Sequence, residues 1–164
     1  MTRPAVIELC HDSMKFSAGH FTIFSENVRE NLHGHSYTVH ASITTMIGDQ
    51  GIAFDYRFYK KKFREICERL ALVTLLPGNS PFLKIADKGD YYHAYFADET
   101  LIFLKRDVKI LPVTNITLEE LSNWILAEVL QDKTELLANK VQKIRVKVFN
   151  APGHAGSTTW RLSQ

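Results

Sequence analysis

The sequence predicts an α+β fold, an antiparallel sheet carrying two helices on one face and a small inserted hairpin. Three observations carry that prediction. Residues 35–47, HSYTVHASITTMI, alternate apolar and polar side chains at the two-residue period of a half-buried strand, and residues 141–150, VQKIRVKVFN, do so again. Between them, residues 56–73 and 118–131 read as helices. Strands grouped as hairpins on either side of the helices favour antiparallel pairing.

In chain order, residues 5–21, AVIELCHDSMKFSAGHF, are rich in β-compatible side chains and read as one long first strand. The strand at 35–47 puts Tyr37, Val39, Ala41 and Ile43 on one face and Ser36, Thr38, His40 and Ser42 on the other. GDQG at 48–51 turns the chain, and Asp55 opens the first helix. Phe58, Phe63, Ile66, Cys67, Leu70 and Val73 form its apolar stripe, and LLPGNSP closes the unit. Residues 82–113 string short β-like runs between DKGD and ADET, the pattern of a small hairpin excursion. Thr117 and Glu120 make a T-x-x-E capping box before the second helix. The strand at 141–150 and residues 157–162 finish the chain as a hairpin around APGHAG.

Composition narrows the partners. The 164 residues suit one domain over 1–164, with 18 acids against 20 bases and a formal charge of +2. That balance, without any basic run interleaved with aromatics, excludes nucleic acid and an anionic membrane as electrostatic partners. No leader pattern and no 18-residue apolar stretch occurs, so a cytoplasmic location is expected. Cys10 and Cys67, far apart and outside any C-x-x-C, are expected as free core thiols.

The histidines raise the functional question. His33 and His35 flank Gly34 at the start of a predicted strand and therefore project together, and His20 ends the strand before it. If the two strands form a hairpin, His20 approaches the pair. Three imidazoles with a fourth position open is the usual layout of a catalytic zinc site, with Gly34 expected to let the backbone bend between ligands. The plainer reading of the same residues is three polar histidines that never meet.

The segments FSAGHF and ENLHGHSY resemble the 6-pyruvoyl-tetrahydropterin synthase and 6-carboxytetrahydropterin synthase family, and IAFDY, LLPGNSP, KRDVKILPVTNITLEELSNWI and APGHAGS extend the likeness along the chain. The resemblance implies the tunnelling (T-) fold: a four-stranded antiparallel sheet with two helices, assembled as homo-oligomers (trimers stacking to hexamers) with active sites at subunit interfaces. It implies Zn2+ held by His20, His33 and His35, and a small heterocyclic substrate met by Thr117, Glu119 and the residue at position 150. Most members carry a catalytic cysteine before H-G-H. No cysteine occurs here between 11 and 66, and Glu30 fits the variant pattern E-x-x-H-G-H instead. Those variants cleave the side chain of 7,8-dihydroneopterin triphosphate to give 6-hydroxymethyl-dihydropterin. A carboxylate near zinc can carry protons between substrate carbons and hydroxyls; the bland alternative is a solvated loop glutamate.

Two positions depart from the family pattern. Its L-D-H relay reads Leu70-Ala71-Leu72 here, and neither Ala71 nor Leu72 can titrate. The glutamate that accepts two hydrogen bonds from the pterin edge is replaced by Asn150, whose amide offers one acceptor and one donor edge. His154, in the PGHAG turn, is the candidate replacement proton carrier, or else an exposed turn histidine. Three functions therefore stand open: a zinc lyase with altered heterocycle recognition, an enzyme still cleaving dihydroneopterin triphosphate, and an inactive binding homologue. The full metal set favours the enzymes, because a dead pocket has little need of an open metal site.

Overall fold

The computed structural model describes residues 2–163. The chain opens on β1 (Arg3–Leu9), continues as β2 (Lys15–His20), makes a short ribbon of β3 (Ile23–Ser25) and β4 (Val28–Arg29), and enters the long strand β5 (His33–Ile47). β1 and β2 lie along the same partner: Arg3 pairs with Ile47, Leu9 with Ala41, Lys15 with Thr38 and His20 with His33. The single strand expected over 5–21 is thus two. The break falls at His11-Asp12-Ser13, where turn-forming side chains compete with the ladder: Ser13 N–H donates to His11 Nδ1 (3.1 Å) and Met14 N–H to the His11 carbonyl (2.9 Å). The alternation in β5 holds, and Tyr37, Val39, Ala41 and Ile43 are all buried.

The first helix, α1 (Arg57–Leu70), starts where Asp55 accepts the Arg57 N–H at 3.0 Å. It buries Tyr59, Phe63, Ile66, Cys67 and Leu70, whereas Phe58, expected in the stripe, is exposed. It also stops earlier than its apolar pattern suggested. Leu72 turns the chain with φ of 60°, its N–H donating to the Ser17 carbonyl at 2.7 Å, and Val73 opens a strand, β6 (Val73–Pro77). A left-handed leucine costs about 1 kcal/mol, which the parallel pairing of β6 beside β2 offsets.

The expected hairpin is a separate three-stranded antiparallel sheet, β7 (Leu83–Lys88), β8 (Tyr91–Phe96) and β9 (Glu99–Leu104). A 3-10 turn over Lys105–Asp107 leads to β10 (Val108–Leu111), which returns parallel to β6. The chain then forms α2 (Leu118–Leu130), a short α3 (Thr134–Ala138), and the hairpin β11 (Val141–Ala151) and β12 (His154–Arg161). The main sheet is therefore seven-stranded and mixed, in the order β10-β6-β2-β5-β11-β12 with β1 also on β5, not four-stranded and antiparallel. The added strands β6 and β10 are short and pair non-locally, so neither has a pattern of its own to announce it.

The N-cap expected from T-x-x-E holds in its first half: Thr117 caps α2 and its hydroxyl accepts the Glu120 N–H at 3.3 Å. Gly156 then lets α2 settle on β12, since a Cβ there would lie 2.3 Å from the Leu118 carbonyl carbon. Both helices pack over the buried face of the main sheet in one large core. A second, smaller core of Phe21, Ile23, Leu76, Leu83, Ala94 and Phe96 lies against the three-stranded sheet. Cys67 is buried and free as expected, but Cys10 is exposed rather than core, because it falls in the break after β1. Among the described residues no helix is long and apolar enough to cross a membrane.

Candidate metal centre

Strand register brings the three histidines together. His20 stands opposite His33 in the β2–β5 ladder, and small Ala18 stands opposite His35, leaving room for its ring. Ring centres lie 4.6 Å (His20–His33), 4.8 Å (His33–His35) and 5.2 Å (His20–His35) apart. The bend expected at Gly34 is absent; Gly34 sits within β5, paired with Gly19.

What each Nδ1 does decides where the lone pairs point. His20 Nδ1 bonds the Ile116 carbonyl (3.0 Å) and His33 Nδ1 the Asn31 carbonyl (2.8 Å). A carbonyl only accepts, so both Nδ1 atoms donate and, in the neutral rings, both Nε2 atoms keep a lone pair. His33 Nε2 lies 3.0 Å from His35 Nε2, and the buried His20 Nε2 has no hydrogen-bond partner in the protein. One nitrogen from each ring falls within 4.8 Å of the others. Burial disfavours the charged form of His20; the Ile116 bond opposes that shift, and His33 and His35 reinforce it. Three imidazole nitrogens without a thiolate, two of the rings oriented by backbone carbonyls, fit a zinc ion with an open position.

Glu30 shares the cleft with the triad. Its N–H donates to the Thr22 carbonyl (2.8 Å), and the Thr22 N–H donates to its Oε2 (2.9 Å). Burial alone raises its pKa, but the hydrogen bonding from Thr22 and the imidazoles of His33 and His20 outweigh that, leaving the carboxyl below the usual range. Thr117, Glu119 and Asn150 line the same cleft, which holds about 230 Å3. Asn150 falls at an irregularity in the β11–β12 ladder, between the Phe149–Ala155 and Ala151–His154 pairs, which re-aims its side chain. His154 does not join them: it is exposed at the start of β12 and is not among the residues lining the cleft.

Ala71 and Leu72 occupy the helix-to-strand corner, and Leu72 is 86% exposed on a neighbouring recess that also touches His35 and Asp107. Sequence reasoning missed Tyr37 as a site residue. Its hydroxyl is buried without a partner, its pKa raised by burial first and by Glu30 second, and it lines the triad's cleft. The signal was present: Tyr37 follows His35 by two residues on the same strand face.

The geometry has relatives. A family model described as 6-pyruvoyl tetrahydropterin synthase matches residues 10–159. A protein of Methanocaldococcus jannaschii provisionally named 6-carboxy-5,6,7,8-tetrahydropterin synthase is 26% identical over 146 residues, covering 87% of this chain and 88% of its own. The crystal structure of 6-pyruvoyl tetrahydropterin synthase from Plasmodium vivax superposes with a TM-score of 0.92 at 26% identity, over 98% of this chain and 99% of that one. A form of that Plasmodium vivax enzyme in which a catalytic glutamate is changed to alanine superposes equally well, with the same TM-score, identity and coverage.

Proposed function

The chain belongs to the 6-pyruvoyl tetrahydropterin synthase family, and from that premise we propose that it is a zinc-dependent lyase acting on a pterin-like heterocycle, with Glu30 as its base. The observation that carries this reading is the convergence of His20, His33, His35 and Glu30 on one cleft. When bound, zinc supplies Lewis acidity toward a substrate oxygen. Glu30, ionised and held by Thr22, takes a proton from a substrate carbon or hydroxyl and returns it. Thr117, Glu119 and Asn150 form the wall that receives the heterocycle. Asn150 in place of a carboxylate leaves one donor of the usual pterin edge unpaired, a cost of about 1–3 kcal/mol, which favours an altered substrate. The exposed Leu72 and the open recess beside His35 support a homo-oligomer whose neighbouring subunit completes the site.

A second reading is side-chain cleavage of 7,8-dihydroneopterin triphosphate. It is supported by the fit of Glu30 to the E-x-x-H-G-H pattern, and the similar Plasmodium vivax 6-pyruvoyltetrahydropterin synthase also has a catalytic glutamate.

Metal analysis and turnover test these readings together. Protein purified without chelator is expected to hold near-stoichiometric zinc, and His33→Ala to lose it; retention in that variant would overturn the metal centre. Glu30→Gln is expected to keep zinc and fold while turnover falls about 10²–10⁴-fold. Activity that needs ionised Glu30 persists through the ordinary carboxylate range and is lost only as the pH falls through its lowered value. Unchanged turnover in Glu30→Gln would remove the base assignment. Rapid turnover of 7,8-dihydroneopterin triphosphate by the unaltered protein would establish the second reading over the first.

A further inference from the structure

Arg29 directly precedes Glu30, and the function proposed above gives it no part. Its side chain is only 15% exposed. The guanidinium carbon lies 5.1 Å from the centre of the Phe21 ring and 5.8 Å from that of Phe96. Nε donates to a Glu99 carboxylate oxygen at 2.8 Å, Nη2 donates to the same oxygen, and Nη1 donates to the Glu30 carbonyl at 2.8 Å. All three guanidinium nitrogens are therefore committed. Phe96 and Glu99 face each other across the tip of the β8–β9 hairpin, so one tight turn supplies both the ring and the carboxylate. Phe21, the other ring, follows the candidate metal ligand His20.

An ordinary surface ion pair contributes little, about 0–1 kcal/mol, and Glu99 by itself is half exposed. Arg29 differs because its fork lies close to two rings and spends one arm on the backbone of the base. Without that arm, the hydrogen bonds that hold Glu30 among the described residues are those with Thr22, through its amide and its carboxylate. Resting on the reading of Glu30 as base, we propose that Arg29 and Glu99 are positioning residues through which the three-stranded sheet holds Glu30 in place. They act through Glu30 and do not touch substrate. The three-stranded sheet is then part of the active-site frame, connected by the chain Glu99–Arg29–Glu30.

The test uses the full-length, zinc-loaded protein with Glu99→Gln and, separately, Arg29→Lys, which keeps the charge but lacks the fork. Amide exchange measured by NMR is expected to be about ten-fold faster at Thr22 and Glu30 in both variants, with Val39 and Ile43 unchanged. The Glu30 side-chain carboxyl, followed by NMR, is expected to titrate higher than in the unaltered protein as its Thr22 bond loosens. Unchanged exchange at Thr22 and Glu30, or equal acceleration across the whole chain, would overturn the proposal. Neither readout needs turnover, so failure of the base reading would show only in the activity of Glu30→Gln and is distinguishable from failure here.

Discussion

The core beneath α1 and α2 and the smaller core against the three-stranded sheet support different halves of the site. The large one gathers Phe16, Tyr37, Val39, Phe63, Leu70, Ile116 and Ile125, residues from both helices and the central strands. It clamps β2 on β5 and so sets the register that pairs His20 with His33. It also holds Ile116, whose carbonyl orients His20. The small core packs Phe21 and Ile23 against Phe96 and Leu83, and thereby braces the β3–β4 ribbon that delivers Glu30. The candidate metal ligands and the proposed base thus rest on separate packing units, joined where His20 is followed by Phe21. The division predicts that stability and the proposed proton transfer at Glu30 can be perturbed independently in this molecule.

The sharpest way to break that division is to truncate one large ring in each core. Phe63→Ala, in the large core, is expected to cost about 3–5 kcal/mol in denaturant unfolding, while folded molecules keep their zinc. Phe96→Ala is expected to cost less globally and to lower turnover more, because it unseats one face of Arg29. Equal losses of stability and of activity in the two variants would show that the cores act as one.

A smaller effect should leave both cores alone. Asn150 lines the cleft from β11, so Asn150→Glu is expected to tighten binding of ordinary dihydropterins about ten-fold by restoring a carboxylate to that wall. Calorimetric titration measures it, and zinc content and unfolding midpoint should not move. Weaker binding would show that the heterocycle does not sit against Asn150.

The smallest effect near neutrality is alkaline. Burial, with a lesser contribution from Glu68, pushes the Cys67 thiol up to about 12 from its ordinary 9.0. A group whose folded value is raised stabilises fully below its unfolded value and loses that contribution as the pH climbs toward the folded one. The large core should therefore weaken above pH 9, about four-fold in the folding equilibrium by pH 9.5, and Cys67→Ala should remove that component of the slope. The small core contains no titratable side chain among its buried members. A thiol reagent at neutral pH should modify the exposed Cys10 and spare Cys67; rapid labelling of both would contradict the packing around α1.

Much of this was legible along the chain, and for local reasons. The period of two in 35–47 dictated which face of β5 is buried, and the same period put His33 and His35 together and added Tyr37 to their side. The capping box marked the start of α2, and E-x-x-H-G-H placed a carboxylate within reach of the triad. Periodicity and spacing are properties of neighbours in sequence, so sequence alone determined them.

Tertiary structure decided what depends on distant partners. Val73 continued an apolar pattern and read as helix, yet Leu72 breaks away because Ser17 accepts its N–H and β2 offers a parallel partner. The second strand-pair at 82–113 grew to a three-stranded sheet, and β10 crossed back beside β6, because pairing is chosen by whichever edge is near in space. The protonated nitrogen of His20 was settled by the Ile116 carbonyl, 96 residues away. The separation of His154 from the cleft and the clasp of Arg29 by Glu99 were likewise matters of where distant turns come to rest. A residue's face follows from its own strand, but its partners follow only from the packing of the whole chain.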